Sequence, residues 1–190
     1  MITSSVPFRC FGTGDELYER YHDTEWGVPV HGDREVYERL SLEAFQSGLS
    51  WITILRRREG FRAAFAGFDP VRVAGFDDAD VARLLVDPGI IRNRSKIEAT
   101  IGNARALLDL QAAGDGLSEL VWSFAPAPAP APTSFADVPA STPASTALAK
   151  ELKRRGFRFV GPTTAYATMQ ALGIVDDHLA RCPARGGGDR

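Results

Sequence analysis

The sequence predicts an all-α protein. Apolar residues recur at spacings of three and four along most of the chain. Several of these stretches open on an N-cap residue, and the alternation of β-branched residues expected of strands is nearly absent. The 190 residues suit one domain, or two lobes around a shared core, and the expectation is a single domain over 1–190.

The elements follow in order. Asp33 is placed to cap a helix running to about residue 47, with Val36, Leu40 and Ala44 on one face and Gly48 as its stop. Ser50 starts another, in which Trp51, Ile54 and Leu55 precede a run of arginines. Asp69 and Asp77 are two further caps, the first followed by Pro70 at the favourable first helical position. From about 93 to 113, Ile97, Ile101, Ala104, Leu108 and Ala112 form a helical stripe closed by Gly114. Residues 125–132 alternate alanine with proline. Repeated proline removes amide donors and favours extended backbone, so this is a semi-rigid surface connector. Regular structure resumes at Thr142-Pro143 and runs to Arg155, with Gly156 as the stop and a last helix from Pro162.

Composition narrows the function. A hydrophobic content of 44% suffices for a sizeable core. No apolar run approaches a membrane span, and residues 1–9 lack the apolar core of a signal peptide, so a cytoplasmic protein is expected. The net charge of -2 argues mildly against a nucleic-acid partner, but the charge is unevenly spread. Acidic residues dominate 15–43, whereas 56–58, 92–96 and 150–158 are basic. Phosphate binding needs a local positive face, not a basic average, although such runs also arise as solvated helix ends. Nothing signals an oligomer, and a monomer is expected.

Two pairs of metal-ligand residue types lie near the two ends. They are Cys10 with His22, and His178 with Cys182. The second pair, four apart, shares a face if the segment is helical, and two thiolates with two imidazoles suit tetrahedral zinc. Spacing alone leaves the alternative open, a buried cysteine beside a hydrogen-bonded histidine. His31 stands in a polar turn and is expected at the surface.

Residues 150–165 are the most informative stretch. A basic amphipathic helix leads into a tight turn bounded by Gly156 and Gly161, and a new helix begins at Pro162. Exposed backbone N–H groups at such a helix start attract phosphate, and Lys153, Arg154 and Arg158 add salt-dependent attraction to DNA. A helical hairpin in a packed domain gives the same pattern.

Here VGPTTA at 160–165 resembles the hairpin core of the helix-hairpin-helix DNA glycosylases, with the motif spanning about 144–173. The wider resemblance is to the bacterial 3-methyladenine DNA glycosylase I family and covers nearly the whole chain. It is carried by LYERYHDTEWG at 17–27, SGLSWIT at 47–53, GIIR at 89–92, IGNAR at 101–105 and RGFRFVG at 155–161.

The resemblance implies a structural zinc held by Cys10, His22, His178 and Cys182. It also implies a glycosylase acting on duplex DNA that contains alkylated adenine. Cleaving the bond to an already cationic base needs little general-acid help. The enzyme must instead unstack the nucleotide, read its base and stabilise developing charge on the sugar. By resemblance Glu43 accepts from the exocyclic amine, Tyr21 and Trp51 are aromatic walls, and Trp26 supports them. Gly48 and Leu49 form the wedge that enters the gap left by the flipped nucleotide. Arg158, Val160, Gly161 and Thr163 belong to the DNA-gripping hairpin. Without the resemblance, Glu43 pairs with Arg39 on an exposed helix face and the aromatics are ordinary core.

Two departures from the family stand out. Most relatives carry tryptophan two residues after the first zinc cysteine. Here Phe11-Gly12 follows Cys10 in a loop one residue shorter, and Phe11 is the candidate replacement wall. Asp176 stands where this family usually has asparagine and the wider superfamily has a catalytic aspartate. It is expected either to assist at the sugar cation or to cap a helix. Thr163 occupies the place of the nucleophilic lysine of lyase-competent relatives, so a monofunctional enzyme is expected. The competing functions are a non-catalytic zinc-stapled module that binds DNA damage, and a glycosylase of shifted base specificity.

Overall fold

The computed structural model describes residues 8–186, which contain ten α-helices, two short 3-10 turns and no strand. Helix α1 (Glu16–Thr24) starts where the Asp15 carboxylate accepts the Tyr18 N–H at 3.0 Å. Helix α2 (Asp33–Gln46) starts one residue earlier than the sequence suggests. Its cap is Gly32, at φ 96°, and Asp33 is the first helical residue. The Asp33 carboxylate instead accepts from the Ser118 N–H at 2.8 Å and from the Gln111 amide at 2.7 Å. It thereby caps α8 (Leu117–Trp122) from outside, because that helix begins at Gly116, which has no side chain to offer.

Helix α3 (Trp51–Leu55) follows Ser50, and α4 is Arg58–Ala64. Asp69 and Asp77 cap α5 (Pro70–Ala74) and α6 (Asp78–Val86) as expected. The longest helix, α7 (Arg94–Ala112), is capped by Asn93 and crosses the middle of the fold. Ile97, Ile101 and Ala104 are buried, but the stripe then drifts to Leu107 and Leu110. Leu108 is consequently half-buried and Ala112 exposed, contrary to the sequence pattern. Phe45, Phe61, Phe65 and Phe68, all fully buried, stack beside α7 to fill the core.

The connector 125–132 is irregular and largely exposed, and its Pro132 carbonyl accepts the Ala180 N–H at 2.8 Å. Thr142 then caps α9 (Pro143–Arg154) in a capping box with Ser145. Residues 155–161 lead into α10 (Pro162–Ala171), which packs on both α9 and α2. Gly173 ends this helix at φ +68°, where a Cβ would lie 2.4 Å from the Val28 carbonyl carbon. That close approach lays the end of α10 against the loop between α1 and α2, with the Leu172 carbonyl accepting from the Val30 N–H at 3.0 Å. Among the described residues no helix is long and apolar enough to cross a membrane.

Candidate active site

A cavity of about 120 Å³ opens between α1, α2, α3 and α10. Four residues singled out in the sequence as base-binding line it: Phe11, Tyr21, Trp26 and Trp51. Glu43, from the last turn of α2, joins them. Helical spacing explains the convergence. Tyr18 and Tyr21 are three apart on α1, Glu43 and Gln46 three apart on α2, so each pair shares a face. Tyr18, Gln46, Ala167 and Gln170 are lining residues that the sequence reading missed. The spacing from Tyr21 and Glu43 was the available signal for the first two.

The walls form an aromatic cage. The Tyr21 and Trp51 centroids are 5.3 Å apart and tilted by 44°. Phe11 meets Trp26 edge-on at 4.9 Å and Tyr18 at 4.8 Å, so it stands in the wall of this cavity. Within the cage two polar groups lack partners. Glu43 is only 5% exposed, and its carboxylate takes no hydrogen bond from any described residue. The surface pairing with Arg39 is absent, since Arg39 turns instead to Glu25 and Glu38. Burial pushes the Glu43 carboxyl up to about 8, against the opposing pull of Arg39. The buried Trp51 indole N–H is likewise unpaired. Buried groups without partners cost stability and mark positions that a ligand completes.

A second cavity, about 280 Å³, adjoins the first and shares Glu43, Gln46 and Ala167 with it. Ser47, Gly48, Leu49, Thr163 and Thr164 form the rest of its lining. Gly48 adopts φ +82° with open space around it, and Leu49 is 42% exposed, an unusual setting for leucine. Further along, Lys153, Arg158 and residues 159–161 border a shallow, open depression at the turn before α10. Val160 is fully buried beneath it. The basic run at 56–58 is not free for phosphate. Arg56 pairs with Asp15, Arg58 with Glu25, and Arg57 donates to the Thr53 carbonyl. A larger cleft of about 630 Å³ lies under the proline-rich connector. Its Asp137, Tyr166 and Asp177 are already hydrogen-bonded within the protein.

The two chain ends meet behind the cage. The ligand atoms of Cys10, His22 and Cys182 lie within 4.8 Å of one another, a group able to hold a metal ion. His178 stands beside them, its ring centroid 4.8 Å from that of His22. The segment 178–182 is not helical. A turn closed by the Cys182 N–H on the Leu179 carbonyl, at 2.7 Å, brings the pair round instead. Each histidine has a carboxylate on its Nδ1. Asp23 lies 2.7 Å from His22, and Asp176 lies 2.8 Å from His178. The His22 Nε2 is thus turned toward the cluster, 3.5 Å from the Cys182 sulfur, as in metal-bound imidazoles, whereas the His178 Nε2 lies 3.2 Å from the His22 carbonyl oxygen. Asp176 also accepts from the main-chain N–H groups of His178 and Gly186, both at 3.0 Å. Burial pushes its carboxyl upward, but the His178 and Gly186 bonds outweigh this and hold it at about 2. It does not line the aromatic cage. Gly27, at φ +75°, lets the backbone pass close to the His178 ring, 3.1 Å from where a Cβ would sit.

Comparison with known proteins agrees with this geometry. Residues 11–185 match the family model described as methyladenine glycosylase. The chain is 51% identical over 171 residues to DNA-3-methyladenine glycosylase 1 of Escherichia coli (strain K12), covering 88% of this chain and 91% of that protein. The crystal structure of a 3-methyladenine DNA glycosylase I superposes with a TM-score of 0.90 at 49% identity, covering 93% of this chain and 98% of the other. The Staphylococcus aureus 3-methyladenine DNA glycosylase I, solved to explain its recognition of 3-methyladenine, gives 0.88 at 35% identity, covering 93% and 95%. With the match extending over nearly its full length, the chain belongs to the methyladenine glycosylase family.

Proposed function

We propose that this chain is a monofunctional DNA glycosylase that excises 3-methyladenine from duplex DNA and leaves an abasic site, in base excision repair of alkylation damage. The observation that carries the reading is Glu43, a buried carboxyl without a hydrogen-bond partner among the described residues, in the wall of an aromatic cage. A cationic adenine supplies what that carboxyl lacks, a positive charge and an exocyclic N–H donor. Tyr21 and Trp51 offer π-faces to the charged ring, with Phe11 and Trp26 behind them. Their 5.3 Å separation is less than the roughly 7 Å that a sandwiched base requires, twice the optimal carbon–carbon distance, so the base parts them on entry.

The chemistry follows from charge. The electrons of the breaking C–N bond neutralise the leaving base, and positive charge moves to the sugar while water arrives. Glu43 fixes the base during departure. It also opposes guanine, whose O6 is an acceptor where adenine has a donor, so one carboxylate both attracts and excludes. Gly48 and Leu49 enter the duplex as the wedge. Gly161, Arg158 and Thr163 hold phosphate at the helix-hairpin-helix of 144–173, with the buried Val160 shaping the turn beneath them. Thr163 has no amine, so no Schiff base forms with the abasic sugar.

Cys10, His22, His178 and Cys182 would hold one structural zinc, which would tie the N-terminal to the C-terminal segment and take no part in the reaction. Two thiolates and two imidazoles are a donor set that structural zinc favours, and the ligand atoms of three of the four residues already lie within 4.8 Å of one another. Asp176 orients His178, and Asp23 orients His22. The decisive assay is release of bases from methylated duplex DNA. Release of 3-methyladenine with little 7-methylguanine is expected. Release of no base would leave only a damage-binding module, and a borohydride-trapped protein–DNA adduct would contradict the monofunctional assignment.

A further inference from the structure

Of the five sequence blocks, IGNAR at 101–105 touches neither the cage nor the metal cluster, yet it contains the buried Asn103. The Asn103 amide donates to the Arg158 carbonyl at 3.1 Å, and its carbonyl oxygen accepts the Arg158 N–H at 2.7 Å. Both main-chain groups of one turn residue are thus held by a single side chain. The next residue, Phe159, adopts φ 56°, a conformation that an aromatic residue keeps only where its surroundings enforce it. Val160 and Gly161 follow directly.

Two helical turns earlier on α7 stands Lys96, also buried. Its ammonium donates to the Phe45 carbonyl at 2.8 Å and to the Ser47 carbonyl at 2.7 Å, at the end of α2 where Gly48 and Leu49 begin. Between the two clamps, the Tyr37 hydroxyl donates to the Thr100 carbonyl at 2.9 Å, fastening α2 to α7 a third time. One helix therefore grips both segments proposed to touch DNA, at points about 10.5 Å apart along its axis.

We propose that α7 is a spacer, with Lys96 and Asn103 as positioning residues that set the distance between the wedge and the phosphate-holding hairpin. This rests on the DNA contacts assigned above. The physical reason for such a device is that a wedge opens a base stack only while the backbone beside it is held still. Freeing either segment removes the opposing hold, so the two clamps act as one unit.

The test is a double-mutant cycle on Lys96→Met and Asn103→Asp, with Asn103→Ala as the alternative if the aspartate destabilises the fold. Affinity is measured for a duplex carrying a tetrahydrofuran abasic analogue and, separately, for free 3-methyladenine. Each single variant is expected to weaken duplex binding by about 10-fold, as for a broken buried hydrogen-bond pair. Free-base affinity is expected to change by less than about twofold, because neither Lys96 nor Asn103 lines the cage. Lys96→Arg, which keeps donors for both carbonyls, is expected to recover duplex binding to within about threefold of the original. The double variant is expected to lose little more than either single one. A multiplied loss of about 100-fold would mean two unrelated local staples and would overturn the proposal, as would unchanged duplex affinity in folded single variants. Equal losses for duplex and free base would also overturn it, by showing general loosening. Leu49→Ala separates the premises. If it alters neither affinity for this duplex nor excision of 3-methyladenine from methylated DNA, the wedge assignment is at fault.

Discussion

The cage and the metal cluster lie side by side, sharing α1, yet they treat their polar groups in opposite ways. Around Cys10, His22, His178 and Cys182 the ring nitrogens, sulfurs and supporting carboxylates are engaged. Asp23 and Asp176 hold the two imidazoles, and the Leu179 N–H donates to the Cys10 sulfur at 3.2 Å. In the cage the Glu43 carboxyl and the Trp51 indole N–H have no hydrogen-bond partner among the described residues. A saturated cluster holds a shape, whereas an unsaturated one is incomplete without a ligand. The contrast separates a structural centre from a chemical one although both contain buried ionisable groups.

Glu43→Gln strains that contrast most. The amide keeps the shape but loses the charge, so single-turnover release of 3-methyladenine is expected to fall by about 10- to 100-fold, the span for a hydrogen bond to a charged group. Stability should move the other way. The folded value of about 8 lies above the ordinary 4.5, so the folded state binds the proton more tightly than the unfolded chain does. That contribution is fully present below pH 4.5 and is lost as pH rises through 8. Glu43→Gln should therefore become more stable than the original protein as pH rises through this window, by a few kcal/mol in order of magnitude. Denaturant titrations at several pH values check this, and parallel pH profiles for the two proteins would show that Glu43 is not held protonated.

Removing the ion tests the saturated side. Dialysis against a chelator is expected to lower the melting temperature by about 5–10 °C, the scale of a few kcal/mol in a chain of this size. An unchanged melt together with no bound metal by elemental analysis would remove the metal centre. Asp176→Asn addresses the outer contact alone. Zinc affinity measured by chelator competition is expected to drop by about 10- to 100-fold, while excision by the zinc-saturated variant stays within about twofold of the original. A large loss of excision with zinc still bound would return Asp176 to the sugar.

Much of this was legible in the sequence because it depends on local rules. Asp69, Asp77 and Thr142 cap the helices they precede, since a cap needs only its neighbours. Asp33 misled because its carboxylate serves α8, more than 80 residues away. The cage residues were legible only through family resemblance. Composition and spacing alone favour ordinary core for Tyr21, Trp26 and Trp51, and an exposed ion pair for Glu43. The clamps of Lys96 and Asn103 were not legible at all, because side chains on α7 meet carbonyls remote in sequence. The four-residue spacing of His178 and Cys182 left their local geometry open, and a turn, not a helix, brings the pair round.

The smallest expected effect concerns Phe11, where this chain departs from the tryptophan of most relatives. Its ring touches Tyr18, Trp26 and His22, with centroids 4.8–4.9 Å away. It therefore bridges the cage and the metal cluster. Aromatic pairs of this kind contribute about 1 kcal/mol each beyond buried area, but only part of that changes when a base enters. Phe11→Leu, which keeps the apolar volume and loses the ring, is expected to weaken free 3-methyladenine binding by about three- to fivefold, with zinc affinity unchanged. Tryptophan fluorescence and chelator competition on the same samples give both numbers. If base affinity holds while zinc affinity falls, Phe11 belongs to the saturated cluster. The cage would then end at Tyr18 and Tyr21, and the boundary between the two centres would run through the Phe11–Trp26 contact.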